Sequence, residues 1–243
     1  MKKEMFEKEL GYIATEEVRK LVEVGLENLP DYFFSMAAST TGKYHPSYAL
    51  GEGGLVRHTK AVALFANYIC QLEQTQNDLT QEERDCMIAG SILHDGFKEG
   101  TGGSKFTVHD HPQICANWIL SNEIFNDFNM DYRNKIAEVI SSHMGQWNEN
   151  KRSKVVLQKP TTSMQKIVHL CDYLASRKDI EILFDSNVEV TKPDINTYTF
   201  SFGKYKGQLI TEVAKEHKDY LEWMNGNMTM KEPLKTFVSE LLK

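Results

Sequence analysis

The sequence predicts a mainly α fold, a helical bundle followed by a small α+β module, and three observations carry that expectation. Apolar residues recur at steps of three and four over most of the chain up to about residue 180. Helix start and stop signals punctuate those stretches. Near residue 190 the pattern changes: Tyr198, Phe200 and Phe202 alternate with polar residues after a proline, which is strand periodicity. We therefore divide the 243 residues into an N-terminal helical brace (1–39), a bundle (40–190) and an α+β module (191–243), with a linker around 190.

The elements follow in order. The string ATEEVRKLVEVGLENLPDYFFSMAAS reads as two short helices divided near Pro30, with Thr15 as cap and Glu16 and Glu17 in the favoured first turn. In GGLVRHTKAVALFANYICQL, Leu55, Val62, Phe65, Ile69 and Leu72 share a helical face, and His58 lies on it. Thr80 with Glu83 forms a capping box for a helix that carries Met87, Ile88 and Ile92 inward and stops at Gly96. The pair His94-Asp95 thus falls at a helix C-terminus, where the helix dipole favours a histidine and disfavours an aspartate. His111 precedes Pro112, which suits the first helical position, so His111 is expected at the N-cap. His143 follows Ile136, Val139 and Ile140 on the buried side of the next helix, which runs from near Asp131 to near Gly145. Asp172 lies in KIVHLCDYLAS, apolar on nearly all sides, where an unpaired carboxylate would cost several kcal/mol or stay protonated.

One histidine on an apolar face is ordinarily a satisfied core residue. Five histidine and aspartate positions set this way, in one order along successive helices, point instead to a metal-binding or catalytic cluster. A mixed imidazole and carboxylate set suits Mn²⁺, Fe²⁺, Ni²⁺ or Mg²⁺ and an open catalytic site, whereas closed all-thiolate sets suit structural zinc. The remaining histidines carry less. His109 is read as a solvated loop residue, His169 as core and His217 as surface. His45 sits in TGKYHPSYALGEGG, where Tyr44 and Tyr48 could stack on a base or pack on the bundle.

The segments GGLVRHT, LHDGFK, DHPQI, ISSHMG and HLCDYLASR, in this order, resemble the HD superfamily of metal-dependent phosphohydrolases over roughly residues 40 to 185. The wording is most similar to the core of YhaM-type 3′-to-5′ exoribonucleases, and DHPQICANWIL also resembles the HD-GYP cyclic dinucleotide phosphodiesterases. The GYP signature is absent, and Met144 stands where many relatives place a second histidine, which argues against a three-metal site. The OB-fold of the exoribonucleases is missing ahead of the match, so their way of holding RNA does not carry over. The resemblance implies one or two divalent ions, with His58, His94, Asp95 and Asp172 on the first and Asp95 bridging to a second held by His111 and His143. Two ions about 3.5–4 Å apart can activate a water and stabilise the oxygens of an in-line displacement at phosphorus. Asp95 would then be catalytic together with Lys98, which matches the lysine that commonly follows the doublet and would steady phosphate oxygens, as Arg57 could too.

The string FSFGKYKGQLITEVAKEHKDYLEWM resembles a small module that follows the catalytic domain of some DnaQ-like exonucleases. Gly203 and Gly207 would shape a turn presenting Lys204, Tyr205 and Lys206 as a basic, aromatic tip for phosphate and base contacts. From Thr199 onward seven lysines face six acidic residues, so this module is nearly neutral while the whole chain carries −6. That net charge argues against a basic groove for long duplex nucleic acid and leaves nucleotides or short single strands, since a metal centre supplies local positive charge.

The expected activity is a divalent-metal-dependent phosphodiesterase or exonuclease on short single-stranded nucleic acid. The alternatives are a nucleotidohydrolase for (d)NTPs, nucleoside monophosphates or cyclic (di)nucleotides, and a non-catalytic nucleotide-binding protein. MKKEMFEKEL is too charged for a signal peptide, and no apolar run approaches the twenty residues of a membrane span, so a cytoplasmic, membrane-free protein is expected. Cys70, Cys86, Cys115 and Cys171 form no CxxC pair and read as core residues of a reducing compartment. The sequence leaves the oligomeric state open.

Overall fold

The computed structural model describes residues 2–39, 45–102, 104, 106–151, 153–180, 182, 194–230 and 233–243. The helices are α1 (Glu7–Leu10), α2 (Glu16–Asn28), α3 (Tyr32–Ser35), α4 (Gly54–Cys70), α5 (Glu73–Asp78), α6 (Gln81–Leu93), α7 (His111–Ser121), α8 (Met130–Ser142), α9 (Ser163–Ala175), α10 (Ile210–Glu216), α11 (Lys218–Asn227) and α12 (Leu234–Leu241). The chain falls into two compact units, Met1–Val188 and Glu189–Lys243. Each has its own apolar core. The linker expected around 190 lies outside the described residues.

In the first unit α6 is the central helix, contacted by α2, α4, α8 and α9, with α7 packed on α8. Its residues from Asp85 to Leu93 are all buried, which a helix can satisfy only when neighbours cover every face. Gly90 permits the α8 crossing, because a Cβ there would come within 2.2 Å of Val139 Cγ2. Capping boxes start α6 (Thr80 with Glu83) and α9 (Thr162 with Gln165).

The N-terminal helices share this core: Phe6, Ile13, Val18, Leu21, Leu26 and Phe33 are buried in the same cluster as α4 and α6. Buried Lys60 and Glu9 pair at 3.0 Å, tying α1 to α4. Thr15 occupies the N-cap position of α2, but its hydroxyl donates to Asp85 at 2.6 Å instead of accepting from the helix. Leu72, expected on the buried face of α4, lies beyond that helix and is exposed. The cysteines are free and buried. No helix among the described residues is long and apolar enough to cross a membrane.

In the second unit the expected α+β character is not confirmed. Its described residues form three helices and a single antiparallel bridge, Thr199 to Leu209. Phe200 donates to Gln208 O and accepts from Gly207 N, so the segment closes as a tight loop over Gly203 and Gly207, both at positive φ. The chain enters α10 one residue after the bridge, which leaves no length for a ladder.

Candidate metal centre

The six selected donors converge where five helices meet around the C-terminus of α6. His58 comes from the second turn of α4, His94 caps the C-terminus of α6 and Asp95 follows it, His143 caps α8, and Asp172 lies in α9. His111 is the first residue of α7, with Asp110 at the N-cap and Pro112 next, one position later than the sequence suggests. Three overlapping triads result: His58, His94 and Asp95; His94, His143 and Asp172; Asp95, His111 and His143. In each, the donor atoms lie within 4.8 Å of one another, close enough to hold a metal ion.

Local helix geometry aims the rings. The Nδ1 atoms of His94, His111 and His143 contact the carbonyls of Ser91, Val108 and Ile140, each three residues earlier, at 2.8, 2.7 and 2.7 Å. A carbonyl only accepts, so each Nδ1 carries a proton, and each ring turns its Nε2 into the cluster, where that atom can offer a lone pair to a cation. The Nε2 atoms of His111 and His143 then face each other at 3.3 Å. Two lone pairs so placed repel unless a cation shares them.

Asp95 divides the cluster. Its Oδ1 lies 3.0 Å from His111 Nε2 and 3.8 Å from His143 Nε2, while Oδ2 lies 3.3 Å from His94 Nε2 and 3.8 Å from His58 Nε2. Asp172 Oδ1 completes the second group, 3.0 Å from His58 and 3.8 Å from His94. Close as these atoms are, His58 Nε2, His94 Nε2 and Asp95 Oδ1 are buried with no aligned hydrogen-bond partner among the described residues. They point past one another toward common centres. A native fold rarely strands buried polar atoms, and this group could hold a metal ion.

The electrostatics favour neutral rings at His143 and His58 and ionised carboxylates at Asp95 and Asp172, while His94 is pushed the other way. Burial, reinforced by His94, pushes His143 down to about 3, and burial likewise lowers His58. Burial raises the Asp95 carboxyl, but Lys98 and His94 outweigh it and hold it well below its ordinary range. Asp172 follows the same pattern, with burial overcome chiefly by His58. Burial lowers His94 too, yet Asp95 and Asp172 prevail and raise it.

The other selected residues are placed differently. Lys98, nearly buried, contacts Asp95 Oδ2 directly. Arg57 gives its guanidinium to the carbonyls of Tyr48 and Leu50, pinning the loop before α4, so the expectation of a substrate contact is not carried further. Tyr48 is buried with its hydroxyl on Ala175 O, which withdraws it from base stacking, and Tyr44 lies outside the described residues. His45 packs edge-on against His58, ring centroids 5.2 Å apart. Asp172 is less enclosed than the sequence suggests: its side chain is 20% exposed, and Leu170 on the same helix faces solvent. Lys204 and Lys206 are exposed, but Tyr205 is 6% exposed and stacks on His217, so the tip presents lysines without that ring.

Sequence reasoning missed His169, assigned to the core. It is half-buried, its Nδ1 contacts the His143 carbonyl at 2.7 Å, and its ring fills the space beside Gly145, where a Cβ would come within 2.1 Å. His169 lies one helical turn before Asp172, a spacing that could have flagged it as a neighbour of the site.

The HD domain family model matches residues 55–177, just over half of the chain and the whole span of the six donors. The chain belongs to the HD domain family. HD domains are in general metal-dependent phosphohydrolases, and the cluster in this member has the buried His and Asp donors such chemistry needs. Residues 200–228 match the exodeoxyribonuclease X-like C-terminal family. No curated protein and no solved structure matches the chain.

Proposed function

We propose that this HD protein is a divalent-metal-dependent phosphodiesterase that trims short single-stranded nucleic acid. One observation carries the reading: the two oxygens of Asp95 face different imidazole pairs, His58 with His94 and His111 with His143. A carboxylate placed in this way would serve two cation positions, with Asp172 as a further donor beside His58 and His94. The donor set fits Mn²⁺, Fe²⁺, Ni²⁺ or Mg²⁺, and a bound ion of this kind supplies Lewis acidity toward phosphate oxygens and an activated water.

The chain's own residues do the rest. Backbone carbonyls hold the Nδ1 protons of His94, His111 and His143, so these rings present Nε2 as the atom that would meet a metal. Lys98, in contact with Asp95 Oδ2 at the cluster, would be the cation that neutralises a phosphate oxygen held there. Burial of the donors excludes competing water, while the exposed edge at Asp172 leaves an entrance. Support for a nucleic-acid substrate comes from the C-terminal match and from exposed Lys204, Lys206 and Trp223 in that unit, Trp223 being 52% exposed and stacked on Tyr220.

The burial of Tyr205 favours a second reading, hydrolysis of mononucleotides or cyclic nucleotides within the metal pocket alone. Incubating metal-loaded protein with labelled oligonucleotides, dinucleotides and nucleotides separates the two. Progressive chain shortening supports the first reading, and turnover of mononucleotides with oligonucleotides left intact replaces it with the second.

A further inference from the structure

Trp147 follows His143 by four residues and stands 46% exposed, an unusual position for the residue with the most apolar surface to hide. It is nevertheless firmly held. Its ring lies 5.7 Å from Tyr173, nearly parallel at 14°, and 6.1 Å from His169. The Arg177 guanidinium covers the Tyr173 ring at 4.3 Å and is itself bonded to Tyr173 O and Ser176 Oγ.

This stack is bolted to the cluster from two sides. Tyr173 follows Asp172 in α9, and His169 joins the Trp147 ring to the His143 carbonyl. Asp172 is also the donor through which the cluster opens: its side chain is 20% exposed, against 2% or less for the other five. The aromatic surface is thus backed by the helix that bears the most exposed donor of the cluster, and is joined to the cluster through His169.

We propose that Trp147, backed by Tyr173 and Arg177, is a nucleobase platform: the base attached to a phosphate ester held at the cluster stacks on the exposed indole face. The proposal rests on the phosphohydrolase reading above and adds what selects the substrate. Every base has a flat π-face, so such a platform distinguishes nucleotides from other phosphate esters without selecting among bases. Arg177 favours the arrangement by drawing electron density toward its side of the stack.

The competing account is that Trp147 merely covers Tyr173. Trp147→Leu and Trp147→Phe separate them, because leucine keeps an apolar cover without an aromatic face and phenylalanine keeps both. Steady-state kinetics would use a dinucleotide and its abasic counterpart, and a nucleoside 5′-monophosphate with ribose 5-phosphate. In Trp147→Leu the ratio of kcat/KM for base-bearing over base-free substrate should fall about tenfold, through KM, and Trp147→Phe should restore most of it. Loss on the dinucleotide pair alone assigns the platform to a base of a nucleic-acid diester, and loss on the monophosphate pair as well assigns it to a free nucleotide. An unchanged ratio in Trp147→Leu, with a lowered melting temperature, overturns the platform and leaves the phosphohydrolase reading standing. Wild-type protein inert toward all four substrates overturns both.

Discussion

Three of the four clustered histidines are oriented by the same local device, a carbonyl three residues earlier that takes the Nδ1 proton at a helix end. The device makes each ring a one-sided ligand. Removing one ring should therefore remove a definite share of the metal. His143→Ala is expected to lower bound metal by about one equivalent and cut turnover, whereas Asp95→Ala, which takes away both facing oxygens, should disturb both positions. Elemental analysis of the two variants measures this, and unchanged stoichiometry in His143→Ala would favour a mononuclear centre. The donors were legible in the sequence because each is an ionisable residue on an apolar face or at a helix end. The surroundings of Arg57 and Tyr205 were not legible in the same way: composition marks a residue as able to touch phosphate or base, but only the fold shows that Arg57 bonds to Tyr48 and Leu50 and that Tyr205 is stacked on His217.

Among the elements, α6 matters most, since it delivers His94-Asp95 and is packed against four other helices. Its capping box was readable from Thr80 and Glu83 alone because capping is local chemistry. Thr80→Ala should cost about 1 kcal/mol, seen as a melting temperature lower by roughly 2–4 °C, with metal stoichiometry intact. The α6–α8 crossing depends on Gly90 in a way no single sequence reveals, because the reason is Val139, 49 positions away. Gly90→Ala should destabilise by about 1–3 kcal/mol through overpacking, and Val139→Ala in the same chain should recover part of the loss. Thermal melts of the single and double variants test it. The alternation of Tyr198, Phe200 and Phe202 misled for the opposite reason: their periodicity is real, but the turn glycines and the early start of α10 leave room for one bridge only.

At the scale of the whole molecule, two separate cores let the units be tested separately. Truncation after residue 190 should weaken binding or cleavage of oligonucleotides far more than hydrolysis of a small chromogenic phosphodiester. Equal loss on both would make the second unit a brace. The buried histidines also set the acid response of the metal-free protein. His143 is held near 3 in the fold against an ordinary 6.5, chiefly by burial, and His58 and His45 are lowered in the same direction. Protonation of these rings then favours the unfolded chain, so their contribution to stability is complete above pH 6.5 and the melting temperature should fall as pH drops from there toward 3. The lowered Asp95 and Asp172 add to the loss at the acid end, and the raised His94 acts in the opposite direction. A melting temperature that holds or rises between pH 6.5 and 4 would mean the rings are solvated and the cluster is not closed.

The central claim is that these buried donors form a metal centre, and metal content tests it most directly. Purified full-length protein should carry one to two equivalents of a divalent transition metal per chain by elemental analysis, or take up that amount of Mn²⁺ in calorimetry after chelation and dialysis. Protein that is metal-free as purified and shows no binding of added Mn²⁺ would contradict the account.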